Sequence, residues 1–204
     1  MRKINKGEPL AEFVNFTKRN PAANWQYFVE TANNIFQNTR SQILIEEQNC
    51  LCGYTEIPIE SEGESHIDHY IKRDLDARKT FNWHNLIVSD NNGAFGAKYK
   101  DNTYRIKRTE YVQIFNPVED DVQGYFYYNE FGLIEPVETL EEPIKSKVHK
   151  TVEVFNLKNP SLVERRKQLI RDIRSYQQVG LDNETIKNTL SSQGFKSLIE
   201  QYCQ

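Results

Sequence analysis

Two short segments in the middle of the chain carry the residues that could do chemistry. His66-Ile67-Asp68-His69 is followed downstream by Trp83-His84-Asn85-Leu86, in a sequence with four histidines. A carboxylate beside an imidazole, with a later amide, is the minimal equipment for hydrolysing a phosphodiester with one divalent cation. The acid holds the metal, the imidazole activates water and the amide fixes the imidazole. Asp68 offers a hard oxygen ligand suited to Mg²⁺ or Mn²⁺. His69 titrates near neutrality when unperturbed, which makes it the natural general base. Asn85 would hold the ring, directly or across the turn. A further ligand must come from the helix that follows; Asn92 is the candidate, with Asn91 next.

Each residue also has a plainer reading. An Asp–His pair taken alone is more often a surface ion pair. His66 lies two residues before Asp68 and shares its face; it reads either as another metal contact or as a structural imidazole. His84, beside Trp83, reads as packing, and His149 as a solvated side chain in a Lys-rich stretch. Cys50 and Cys52 are spaced like half of a zinc knuckle, but a knuckle needs four ligands. The remaining cysteine is Cys203, at the tail. No structural zinc is expected, and the cysteines read as small buried apolar residues.

The elements that must position these residues follow from the hydrophobic spacing. Glu8 to Arg19 and Asn24 to Asn38 carry apolar residues at helical period, and Ser41 to Gln48 reads as a short third helix. Tyr54 to Ile59 and Ser65 to Tyr70 read as two short strands making a hairpin. Asn82 to Val88 reads as a loop or a short extended piece, and Asn92 to Lys100 can open a helix. That order, strand, strand, loop, helix, is the ββα arrangement the chemistry needs. Tyr104 to Phe115 and Gly124 to Leu133 alternate aromatic and polar residues and read as a further strand pair. Asn159-Pro160-Ser161 starts the strongest helix, with Ser161 and Glu164 at capping-box spacing. Further helices follow Asp182 and Gly194. The predicted fold class is α+β: a ββα core at 49–110, a helical scaffold at 1–48, and a strand pair with C-terminal helices at 111–204, within one compact domain.

Composition narrows the function classes. The chain has 204 residues and a net charge of −3, with 27% charged residues. That is enough length for a real core and too little positive charge for a protein that coats nucleic acid. Local basic stretches can still contact phosphates. One runs from Lys98 to Arg108, with Lys98, Lys100, Arg105 and Lys107 as the candidate nucleic-acid contacts. Another holds Arg165, Arg166, Lys167, Arg171 and Arg174. Each also reads as a solvated face. No apolar run approaches the roughly 20 residues that span a bilayer, so no membrane association is expected. The basic opening Met1-Arg2-Lys3 lacks the apolar stretch of a signal peptide, and with so few cysteines a reducing cytoplasm is the expected location.

These motifs resemble the HNH endonucleases of the Septu and retron anti-phage defence systems, the PtuB-like proteins. Cys52-Gly53-Tyr54-Thr55-Glu56 resembles the family's Cys-x-Tyr-Cys-Glu knuckle. His66-Ile67-Asp68-His69-Tyr70 resembles its His-Ile-Glu/Asp-His-Phe core, and Trp83-His84-Asn85-Leu86-Ile87-Val88-Ser89 its Trp-x-Asn-Leu-x-x-Ser segment. Val154 to Asn159 and Leu162 to Arg166 resemble its Leu-Asn turn and Arg-bearing helix. The resemblance implies a ββα-metal (HNH) nuclease core with Asp68, His69 and Asn85 in the site. It implies an ABC-type ATPase as partner and, in retron systems, also a reverse transcriptase and its RNA–DNA product. DNA or tRNA would be the substrate. The chain departs from the family at Thr55, where a cysteine is usual, and lacks the cysteines expected near Asp90 and Gly93. Packing by Tyr54, Phe81, Trp83 and Phe95 would have to replace the zinc staple. Asn91 to Lys98 aligns with the family's last motif only through a gap. Two other readings follow from the same residues: an inactive HNH-fold module that binds nucleic acid or the ATPase, and an interaction protein whose terminal helices dock partners.

Overall fold

Aromatic residues at helical spacing build the N-terminal scaffold. The structure, a computed structural model, describes residues 1–122 and 124–204. Helix α1 (Ala11–Arg19) buries Phe13. Helices α2 (Trp25–Thr31) and α3 (Asn33–Gln42) replace the single helix expected from Asn24 to Asn38. The break falls at Ala32, whose φ of −131° and ψ of 43° leave the helical region. The bend lets Trp25 and Phe36 meet edge to face at 6.0 Å. The expected third helix is a continuation of α3 through a π-helical turn, Ile43–Glu47. Phe13, Phe16, Trp25, Phe28 and Phe81 form one cluster, with Phe13 5.5 Å from Trp83.

Strand β1 (Ser65–His69) pairs antiparallel with β2 (Leu86–Asp90), Asp68 opposite Ile87 and His69 opposite Leu86. The expected hairpin between Tyr54–Ile59 and β1 does not form. Residues 50–59 instead fold back on themselves: the Cys52 amide donates to the Ile57 carbonyl (2.9 Å) and the Ile59 amide to Cys50 (2.8 Å). This loop lies directly on β2, with the Gly53 amide donating to Val88 O at 3.0 Å. A Cβ at Gly53 would lie 2.4 Å from an Ile87 methyl, so only glycine permits that approach. The Gln48 side chain also pairs with β2, donating to Val88 O (2.8 Å) and accepting from Val88 N (2.9 Å).

After β2 the chain enters a short helix, α4 (Gly96–Lys98), which widens into a π-helical turn, Tyr99–Tyr104. Tyr104 to Phe115 is not a strand. Arg105 takes a left-handed conformation that ends the turn, and Arg108–Gln113 is 3₁₀-helical. The second sheet is a hairpin of β3 (Phe126–Tyr128) and β4 (Ile134–Pro136). Helices α5 (Glu142–Val154), α6 (Pro160–Gln178), α7 (Asn183–Leu190) and α8 (Lys196–Tyr202) complete the chain. The α6 cap is Asn159, which accepts from Ser161 N at 3.0 Å, two residues before the expected capping-box serine. Arg166 leaves the basic face expected of α6: it is fully buried and donates to the carbonyls of Gly132 (3.0 Å) and Leu157 (2.8 Å).

The class is α+β. The buried apolar residues of both sheets and of the flanking helices form one continuous core. Among the described residues no helix is long and apolar enough to cross a membrane.

Candidate active site

The end of β1 and the π turn after α4 frame a cleft of about 180 Å³. Asp68 and His69 both line it, together with Lys72, Arg73, Lys98 and Asp101. The acid–imidazole pair read from the sequence is therefore brought to one opening, although neighbouring strand residues alternate in direction.

His69 is held from two sides. Its ring meets the edge of Trp25 at 4.4 Å, and its Nε2 lies 3.0 Å from the Thr80 carbonyl oxygen. A carbonyl oxygen only accepts, so Nε2 carries the proton. Nδ1 then holds the free lone pair of the neutral ring, and it has no hydrogen-bond partner among the described residues. Burial pushes the imidazole pKa down to about 4, against an upward pull from Asp68. His69 is thus a neutral base with a fixed tautomer at pH 7.

This shift makes stability depend on pH. In the unfolded chain a histidine titrates near about 6.5. Between that value and about 4, the unfolded chain binds a proton that the folded ring refuses. Stability therefore falls as pH falls through this window, by on the order of 3 kcal/mol when fully developed. His66, also lowered by burial, adds in the same direction. Urea denaturation of the wild type and of His69→Gln from pH 7 to 4 should give a shallower decline for the variant. Parallel curves would remove the assignment.

Asn85 does not touch the ring. Its Oδ1 accepts from Ile71 N (2.8 Å), and its Nδ2 donates to the carbonyls of Ile71 and Lys79 (3.1 Å each). It closes the loop that holds Thr80, and so sets the carbonyl on which His69 rests. The direct Asn85–His69 hydrogen bond, one of the two roles open from sequence, does not form.

Asp68 is 5% exposed and fully engaged. Its Oδ2 accepts from the Tyr54 hydroxyl at 2.5 Å and lies 3.1 Å from the Lys100 ammonium. Tyr54 also stacks on Phe155 at 4.3 Å, which fixes its ring. Burial alone would raise the Asp68 pKa, but Lys100 and the Tyr54 hydroxyl outweigh it and hold the carboxyl below its usual range. Lys100, fully buried, is stripped of water; the charges of Asp68 and Asp101 offset this and keep its pKa raised. Asp101 lies 3.2 Å from the same ammonium, and burial raises its carboxyl pKa.

The remaining sequence candidates divide. Lys98 is half-buried and lines the cleft. Lys100 is not a surface contact for nucleic acid: it is 0% exposed and spent on Asp68 and Asp101. Arg105 and Lys107 are exposed beyond the cleft. Asn92 does not come to Asp68. It is exposed, its Oδ1 accepts from Ala94 N at 2.8 Å, and it lines a separate hollow with Glu60, Asp90 and Arg165. Asp101 is the helix-side oxygen donor at the cleft. His66 Nδ1 lies 3.0 Å from Asn91 Oδ1. His84 is exposed and pairs with Glu119 at 3.2 Å, so it does not pack as expected. Cys52 is buried with its sulfur 3.6 Å from Ser89 Oγ, and Cys50 is exposed. Among the described residues no group of three or more His, Cys, Asp or Glu side chains could hold a metal ion.

Sequence reasoning missed Tyr54, Lys72, Arg73 and Asp101. Lys72 and Arg73 had a local signal, since they follow the Asp-His pair by a few residues. Tyr54 stood in the sequence only as a packing residue and Asp101 had no local signal, because folding alone brings them to Asp68. The chain matches no protein-family model and no curated protein sequence.

Proposed function

We propose that this chain is an HNH-type endonuclease that hydrolyses nucleic-acid phosphodiesters, the effector subunit of an anti-phage defence complex with an ABC-type ATPase. The observation that carries the activity is His69: a neutral imidazole with Nε2 anchored on the Thr80 carbonyl, beside a cleft edged by Lys72, Arg73 and Lys98. The order of β1, its antiparallel partner β2 and the short helix α4 along the chain supports this reading. In the proposed step a water oxygen bonds to phosphorus while its proton passes to His69 Nδ1. The P–O bond to the departing sugar oxygen breaks, and that oxygen takes a proton from solvent. Arg73 and Lys98 offset the charge that builds on the phosphoryl oxygens. The partner assignment rests on the motif resemblance alone.

The sequence reading adds Mg²⁺ or Mn²⁺ held by Asp68 and Asn92. The residues as folded do not fit that ion. Asn92 is turned into its own loop, and the Asp68 carboxylate is committed to Tyr54 and Lys100.

The same commitment of Asp68 favours a second reading, an inactive HNH-fold module that binds nucleic acid or the ATPase. One assay separates the two. The chain, co-purified with its ATPase, is incubated with plasmid DNA and with tRNA, with Mg²⁺, with Mn²⁺ and with chelator. The proposal expects fragments from at least one substrate. Intact substrates throughout, with retention of labelled oligonucleotide in a gel shift, would replace it with the binding module.

A further inference from the structure

We propose that the Lys100 ammonium is the resident cation of this site, standing among the oxygens that would otherwise ligate a divalent ion. The proposal rests on the nuclease reading above for its catalytic meaning: the hydrolysis would run without a divalent ion at Asp68.

Four oxygens lie within 3.3 Å of the ammonium. They are Asp68 Oδ2 at 3.1 Å, Asp101 Oδ1 at 3.2 Å, and the carbonyls of Tyr70 at 3.0 Å and His69 at 3.3 Å. Two carboxylates and two carbonyls form a hard oxygen set, the kind that binds Mg²⁺ or Ca²⁺. A divalent ion in the same place would need these oxygens closer, at about 2.0–2.1 Å for Mg²⁺ or about 2.3–2.6 Å for Ca²⁺. The ammonium presents three N–H donors to this set. Its side chain is 0% exposed and is carried on the π turn that follows α4. A divalent ion entering beside it would meet a unit positive charge at close range, in a site with low dielectric.

The arrangement divides the work of the site. Lys100 is a positioning residue: it ties the end of β1 through Asp68 and the carbonyls of His69 and Tyr70, and so fixes the backbone that presents the His69 ring. Charge on the phosphoryl group is left to Arg73 and Lys98, which line the cleft.

The test is Mn²⁺ binding, read from the loss of the free-ion signal in electron paramagnetic resonance and from the melting temperature. Both are independent of cleavage. The wild type should show no Asp68-dependent site up to about 1 mM. Lys100→Ala should gain one Mn²⁺ site at least about tenfold tighter than that limit. Mn²⁺ should raise the melting temperature of this variant and not that of the wild type, and Lys100→Ala/Asp68→Asn should lose the gain. If Lys100→Ala does not fold, Lys100→Gln takes its place, and the wild-type arm decides by itself: Mn²⁺ binding that Asp68→Asn abolishes would overturn the proposal. Failure of a folded Lys100 variant to gain a site would overturn it as well. A chain that meets these binding expectations yet cuts nothing loses the nuclease reading and keeps the resident cation. One that cuts only with Mn²⁺ or Mg²⁺ keeps the nuclease reading and loses the resident cation.

Discussion

Replacing His69 with alanine is expected to slow cleavage by about 10²–10⁴-fold, the usual contribution of a positioned general base. Alanine also removes the ring from Trp25 and the donor from the Thr80 carbonyl. A loss of activity by that variant alone would therefore mix chemistry with folding. His69→Gln separates them, because its side-chain amide can still donate to Thr80 but has no basic nitrogen. It should lose the same activity while melting close to the wild type. The pH profile gives a second reading. A base with its pKa near about 4 stays deprotonated through the weakly acidic range. The acid limb of the wild-type rate should then fall near that value, well below the about 6.5 of a free imidazole. An acid limb near 6.5, or a glutamine variant that cuts at the wild-type rate, would remove His69 as the base.

How far the sequence could lead depended on the range of each interaction. Asp68 and His69 are adjacent, so their meeting at one cleft needed only a strand end. Asn85 was legible as a residue that holds a turn near the pair, because its partners Ile71 and Lys79 lie in the loop it closes. The strand pairing was less legible. Leu86, Ile87 and Val88 are all fully buried, so β2 shows no alternation and resembles any apolar run. Residues 54–59 close a loop with residues 50–52 through backbone bonds shorter in sequence than a pairing with β1, and β2 pairs with β1 instead. Lys100 shows the limit most clearly. A lysine within a run of basic residues reads as a phosphate contact from its neighbours alone. Only the fold shows that its ammonium turns inward, 32 residues from the carboxylate it meets. Arg166 was hidden for the same reason, in a helix whose other arginines face solvent.

That inward turn makes Lys100→Met the substitution with the largest expected effect on stability. The methionine fills much of the same volume but leaves the Asp68 carboxylate buried beside Asp101 with no cation between them. Breaking a buried ion pair from one side costs about 3–5 kcal/mol. The Tyr54 hydroxyl still donates to Asp68, so part of the charge remains solvated by the protein. The loss should depend on pH. In the wild type the lowered Asp68 pKa adds stability above about 3.8 that fades as pH falls. In the variant, burial acts on that carboxyl unopposed by Lys100, its pKa rises, and acidification relieves the strain. The destabilisation measured by urea denaturation should therefore be largest at neutral pH and smaller near pH 5. Lys100→Met/Asp68→Asn should recover most of the loss, because a neutral amide needs no counter-ion and can still accept from Tyr54. A buried pair is rarely the most stable way to fill its own volume. If the double variant is as stable as the wild type but cuts poorly, the pair serves the geometry of the His69 backbone. A loss below about 1 kcal/mol in Lys100→Met, the range of exposed pairs, would mean that the carboxylate does not depend on this ammonium.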